Sequence, residues 1–128
     1  MITWITDHFR LDEFRCSDGT PVPERYYENV AQLCRELEVI RAEYKRPVTI
    51  LSGYRSPAYN KKVGGAKNSF HMKGMAADIV VAGIPAPVLY TRIDRMMTSL
   101  GLLHNGGLGK YKNFVHVDIR AVPARWNG

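Results

Sequence analysis

The sequence predicts an α+β domain, a mainly antiparallel sheet with helices packed on one side, and three observations lead there. Apolar residues recur at spacings of three and four over 25–45 and again over 88–100, the mark of amphipathic helices. Short apolar runs at 48–51 and 77–81, and the run FVHVDIR at 114–120, have strand length and lie between turn-forming residues. Short turns or a single helix connect these strands, an order that suits antiparallel pairing. At 128 residues the chain has the size of one domain, 1–128, large enough to bury a core without disulfide support.

Residues 1–24 read as an ordered lead-in, with Phe9, Leu11 and Phe14 docked on the core and DGTPVP at 18–23 as a turn. In the first helix, 25–45, the buried stripe is Tyr26, Val30, Leu33, Cys34, Leu37, Ile40 and Tyr44, and Pro47 ends it. VTIL at 48–51 is a buried strand that runs into the turn SGYRSP, and a short helix follows over 58–63. Gly64 and Gly65 open a flexible stretch through Gly74, which puts His71 on a loop; the strand at 77–81 then carries Asp78. Pro85 and Pro87 suit a helix start, Val88, Leu89, Ile93, Met96, Met97 and Leu100 continue at helical spacing, and Gly101 closes the helix. After the Gly-rich piece GLLHNGGLGKY comes the last strand, where His116 and Asp118 are two apart and share a face. Trp4 and Trp126 are read as packing the termini, and His8 as structural.

The net charge of +6 arises from eleven Arg and seven Lys scattered along the chain, with no basic block of the kind that marks a nucleic-acid arm. Such a diffuse field attracts an anionic wall polymer or an acidic peptide as well as nucleic acid. No apolar run is long enough for a membrane span or a signal peptide, so the expectation is cytoplasmic synthesis and no membrane insertion. Cys16 and Cys34 lack close ligand spacing and are expected as buried thiols, with a disulfide between them as the alternative.

Of four histidines, His71 and His116 stand near acidic residues in Gly-rich or strand settings. A catalytic zinc commonly takes two His and a carboxylate and keeps a fourth position for water, and His71, Asp78 and His116 would supply that set. Plainer readings stay open on these residues alone: an exposed loop histidine, an aspartate that caps or pairs with an arginine, and a half-buried strand histidine.

The wording around them is more specific. SGYRSPAYN at 52–60, SFHMKGMAAD at 69–78 and GGLGKYKNFVHVD at 106–118 together resemble the zinc peptidases of the D-Ala-D-Ala carboxypeptidase and murein endopeptidase group, related to lysostaphin-type enzymes and the hedgehog domain. FRLDEFRCSDGTPVP at 9–23 and the closing Arg125 and Trp126 are similar to the same group. The resemblance implies a hedgehog/DD-peptidase-like domain with one zinc ion per chain on His71, Asp78 and His116. It implies that Arg55 steadies the substrate carbonyl or the oxyanion, as a permanently charged fork of donors suits. Ser69 is implied as a substrate contact or a loop-orienting residue. Tyr54, with Tyr59, Phe70 and Tyr111, can wall a peptide groove, some of them belonging instead to the core.

One position departs from part of the group. Relatives place an acidic base three residues before the last histidine ligand, where this chain has Asn113. Asp118 is the substitute, as proton acceptor or as the group that orients His116, and His104 is read as an exposed loop residue. The implied activity is hydrolysis of an amide bond in peptidoglycan peptide, by a carboxypeptidase or an endopeptidase. A phage-type lytic enzyme acting at the wall or periplasm, expected as a monomer and without a nucleic-acid partner, fits. The rival is a non-catalytic, zinc-containing wall-binding module of the same fold.

Overall fold

The first helix forms as a 3-10 turn, Glu24–Tyr26, running into α1, Tyr27–Tyr44, which buries Val30, Leu33, Cys34, Leu37 and Ile40. Lys45 ends it in the left-handed region, its N–H donating to the Arg41 carbonyl, two residues before Pro47. These features come from a computed structural model that describes residues 3–128; the first two residues of the predicted lead-in lie outside the described residues. Phe9 and Phe14 are buried with Leu11 packed beside them, and the Tyr54 N–H donates to the Phe14 carbonyl at 2.8 Å. His8 ties the lead-in to α1 through Glu38, 2.7 Å from its Nδ1.

β1, Val48–Ser52, pairs antiparallel with β2, Ala76–Val81, and β2 pairs antiparallel with β4, Val115–Asp118. β3, Gly107–Lys110, lies beyond β4 and carries β5, Ala124–Asn127, on its outer edge. The β3–β5 pair is parallel and the other pairs of the sheet are antiparallel, so the sheet is mixed, in the order β1-β2-β4-β3-β5. Neither β3 nor β5 is predicted from sequence. Glycine disfavours strands in isolation, but here its missing side chain is what the sheet requires. A Cβ on Gly107 would collide with the Asp118 carboxylate, and one on Gly109 would lie 2.5 Å from the Trp126 indole.

α2, Pro57–Lys62, begins one residue earlier than expected because Ser56 caps it, accepting from the Tyr59 N–H at 3.1 Å. α3, Ala86–Met97, stops three residues short of Leu100. The Leu102 and Leu103 N–H groups both return to the Met96 carbonyl, so the chain turns and Leu103 enters the core in place of Leu100. Val88 and Leu100, which continue the helical spacing, are 54% and 41% exposed.

One apolar cluster joins the helix residues to Ala77, Ile79 and Val81 of β2 and Val115 and Val117 of β4. Residues of opposite parity, Asp78, His116 and Asp118, therefore face away from it. Both cysteines are buried and unpaired, and burial, reinforced by Glu13 and Glu38, pushes the Cys34 thiol up to about 12. Among the described residues no helix is long and apolar enough to cross a membrane.

Because the Trp126 ring lies against Gly109 of β3, Gly109→Ala is expected to cost about 1–3 kcal/mol in a urea unfolding titration, in the range of overpacked sites. An unchanged midpoint would show that β5 does not pack there.

Candidate metal centre

Asp78 and His116 are direct cross-strand partners, and the next pair on the same face is Ala76 with Asp118. His71 arrives from the 3-10 turn Phe70–Lys73, a more ordered setting than the predicted loop. Ser69 caps that turn by accepting from the His71 N–H at 3.2 Å, and the Arg55 N–H donates to the His71 carbonyl at 3.0 Å. All three side chains are buried.

Hydrogen bonds set which nitrogens are free. His71 Nδ1 is 2.7 Å from the Gly53 carbonyl, which can only accept, so Nδ1 carries the proton and Nε2 the lone pair. Among the described residues Nε2 has no hydrogen-bond partner, although Asp78 Oδ1 lies 3.2 Å away. His116 Nε2 is 2.8 Å from Asp118 Oδ2, which directs Nδ1 toward Asp78 Oδ1 at 3.1 Å. Three lone pairs thus converge, their atoms within 4.8 Å of one another, in a place where acceptors repel unless a cation joins them. Ligands at about 2.0–2.1 Å from a tetrahedral metal stand about 3.3 Å apart, close to the 3.1 and 3.2 Å found here. The donor set therefore fits a zinc-sized ion.

Charge is arranged to match. Burial alone would push the Asp78 carboxyl up, but the two histidines outweigh it and hold it well below the usual carboxylate range. Asp118 is lowered in the same way, burial being outweighed by His116 and Arg120. Burial would lower His116, yet Asp118 and Asp78 reverse this and raise it above the ordinary histidine value. The two carboxylates thus favour positive charge at His116, whether a proton or a cation brings it.

Beside the ligands opens a cleft of about 770 Å³. Arg55 reaches it, Nη2 3.5 Å from Asp78 Oδ2 and Nη1 donating to Asn60 Oδ1 at 3.3 Å. Ser69, Phe70 and Tyr111 also line it. Tyr54 does not: at 4% exposure it belongs to the core, its ring 6.2 Å from Tyr26, because the chain turns its side chain inward beneath the lead-in. Tyr59 is also packed against the core. Asp118 is reached from His116 but lies behind it, its side chain fully buried. His104 is exposed and bonded to the Arg120 carbonyl, and Asn113 is exposed outside the cleft lining.

Both tryptophans differ from expectation. Trp4 is 60% exposed, with Arg10 over its ring, so it does not pack the terminus. Trp126 lies against the site, 5.0 Å from the His116 ring, its Nε1–H donating to the Tyr111 hydroxyl. Sequence reasoning missed Arg120, Asn60, Lys67 and Phe114; the basic residue after a strand that ends in a carboxylate was the available signal for Arg120. Asp78 is the only carboxylate lining the cleft among the described residues, against Arg55, Lys67 and Arg120.

Comparison with known proteins bears on these residues. A family model described as Peptidase M15 matches residues 7–118. The chain is 38% identical over 88 residues to the probable peptidoglycan L,D-endopeptidase MepK of Haemophilus influenzae, and 35% identical over 88 residues to the MepK endopeptidase of Escherichia coli K12. Each match covers 63% of this chain and 43% of the relative, so the chain spans less than half the length of these relatives. A zinc D-Ala-D-Ala carboxypeptidase of Streptomyces albus G is 53% identical over 34 residues, 27% of this chain and 13% of that protein.

Replacing His71, Asp78 or His116 by Ala is expected to remove bound metal, read by elemental analysis of the purified variants; full stoichiometry in any of them would exclude that ligand. Affinity should also depend on pH. The metal needs the Nδ1 lone pair that the raised His116 proton occupies, so affinity falls about tenfold per pH unit below that raised value and levels off above it. A competition titration flat from about pH 8 to about pH 5.5, across the ordinary histidine range, would contradict it.

Proposed function

We propose that this chain, which belongs to the peptidase M15 family, is a zinc-dependent hydrolase of an amide bond in peptidoglycan peptides, acting as a carboxypeptidase or an endopeptidase. The observation that carries the reading is the buried convergence of His71 Nε2, His116 Nδ1 and Asp78 Oδ1 at the foot of an open cleft. A single zinc ion per chain would be held by these three groups, supplying a Lewis acid that polarises the scissile carbonyl and lowers the pKa of water toward neutrality. The similarity to peptidoglycan endopeptidases and to a zinc carboxypeptidase supports the substrate class. So does the basic lining of the cleft, which suits an acidic stem peptide. The hedgehog/DD-peptidase-like arrangement, a monomeric state, action at the cell wall and a phage-type lytic role complete the same reading.

The chain's own residues divide the work. Arg55 presents its guanidinium at the rim of the ligand set, where it donates to the substrate carbonyl and to the charge that develops on it. Ser69 holds the turn that carries His71, leaving its hydroxyl at the cleft wall. Asp118 accepts from His116 and from Arg120 and is closed off from solvent, which supports the orienting role over that of proton acceptor. Phe70 and Tyr111 supply apolar wall for the peptide.

A second reading draws on the same cleft: no carboxylate besides Asp78 lines it among the described residues, which suits a zinc-containing module that binds wall peptide without cutting it. Digestion of purified peptidoglycan separates the two. Released peptide fragments under zinc-replete conditions, lost on chelation and restored by added zinc, are expected of the enzyme. Arg55→Ala should keep the metal and lose about 10²–10³ in kcat, the usual worth of one oxyanion donor. Zinc-loaded protein that releases nothing would establish the binding module instead.

A further inference from the structure

The family match ends at Asp118, yet the residues after it build a second layer around the ligands. We infer that Arg120 is a positioning residue for the metal centre: it acts on His116 through Asp118, and Phe70 and Trp126 hold it in place. The inference rests on the zinc reading above and concerns this chain's own residues.

The fork is closed on every side. Asp118 Oδ1 accepts from the Arg120 N–H at 3.1 Å, from Arg120 Nε at 2.9 Å and from the Gly107 N–H at 2.9 Å. Asp118 Oδ2 accepts from Arg120 Nη2 at 2.7 Å and from His116 Nε2 at 2.8 Å. With both oxygens occupied inside the protein, the carboxylate cannot turn, and the His116 ring cannot rotate without giving up its only acceptor behind the site. Nδ1 therefore stays directed at Asp78.

The guanidinium is itself clamped. It lies 4.5 Å from the centre of the Phe70 ring and 5.1 Å from that of Trp126. Phe70 immediately precedes His71, and the Trp126 ring is 5.0 Å from that of His116, so one side chain braces the neighbours of two ligands. Lysine can reproduce neither the planar fork nor the stacking. The other arginine of the C-terminal stretch, Arg125 in β5, is differently employed, tying β5 to Asp94 of α3 at 2.8 Å.

The test is a double-mutant cycle read by zinc affinity, using chelator competition on the folded proteins. Arg120→Met keeps an apolar stem between the rings and removes the fork; it and Asp118→Asn are each expected to lose 10- to 100-fold in affinity, as partners behind a metal ligand usually do. The double variant should bind within about twofold of Asp118→Asn alone, the ordinary error of additivity, because Arg120 works through Asp118. Arg120→Lys, which keeps the charge and serves if the Met variant does not fold, should recover little of the loss. Wild-type affinity in Arg120→Met or Arg120→Lys, or losses that multiply in the double variant, would overturn the inference. Wild-type protein that binds no zinc would overturn the zinc reading beneath it.

Discussion

Asp78 and His116 are opposed across β2 and β4, and a slip of one residue between those strands would turn one of them into the apolar core and leave the other alone at the site. Their strand neighbours of the other parity, Ala77, Ile79, Val115 and Val117, lie in the core cluster with the helices, so hydrophobic burial on one face fixes the polar constellation on the other. The same register runs outward across the sheet. Asp78, His116, Gly109 and Trp126 form one row, and Ala76, Asp118, Gly107 and Ala124 the next. In each row a large or charged side chain meets a small residue on the adjacent strand. This is why β3 must be glycine-rich and why an indole can lie beside a ligand.

Holding three lone pairs together in a buried place opposes folding, since a buried polar atom left without a partner costs about 1–3 kcal/mol. The fold offsets this with rigid supports. Gly53 and Arg55 fix His71 from the turn after β1, and the lead-in fixes that turn through Phe14. Asp118 fixes His116 from behind. The site is thus set before a cation arrives, so binding need not pay for ordering its ligands. The cleft stays open in front of the ligands while the side facing the core is sealed.

The helices were legible because a 3.6-residue period needs no partner to be read: the stripe from Val30 to Ile40 is the buried face of α1. β1, β2 and β4 were legible as bounded apolar runs, although β1 is not the buried strand expected: Val48 is buried but Leu51 is 50% exposed. β3 and β5 were not legible: the glycines of β3 count against a strand locally, and the Asp118 carboxylate and the Trp126 ring, distant in sequence, explain them, while β5 is a four-residue segment after Pro123 that carries no apolar run. Leu100 continued a helical spacing that the turn at Met96 broke. At the site, the proximity of His71, Asp78 and His116 depends on register and could not be read from spacing; similarity in wording pointed to it. Tyr54 belongs to the core and not to the cleft because it sits in a turn, where the lead-in decides which side is covered. Arg120 went unseen, and Trp126 was read only as packing the terminus, because their roles exist only relative to Asp118 and His116.

The central claim is that His71, Asp78 and His116, not the two buried thiols, form the first coordination shell of a zinc ion. X-ray absorption at the zinc edge of the loaded protein tests it most directly. A shell of nitrogen and oxygen at about 2.0–2.1 Å, with the outer scattering of two imidazoles and no sulfur, is expected. A sulfur shell at about 2.3 Å, or fewer than two imidazoles, would contradict it.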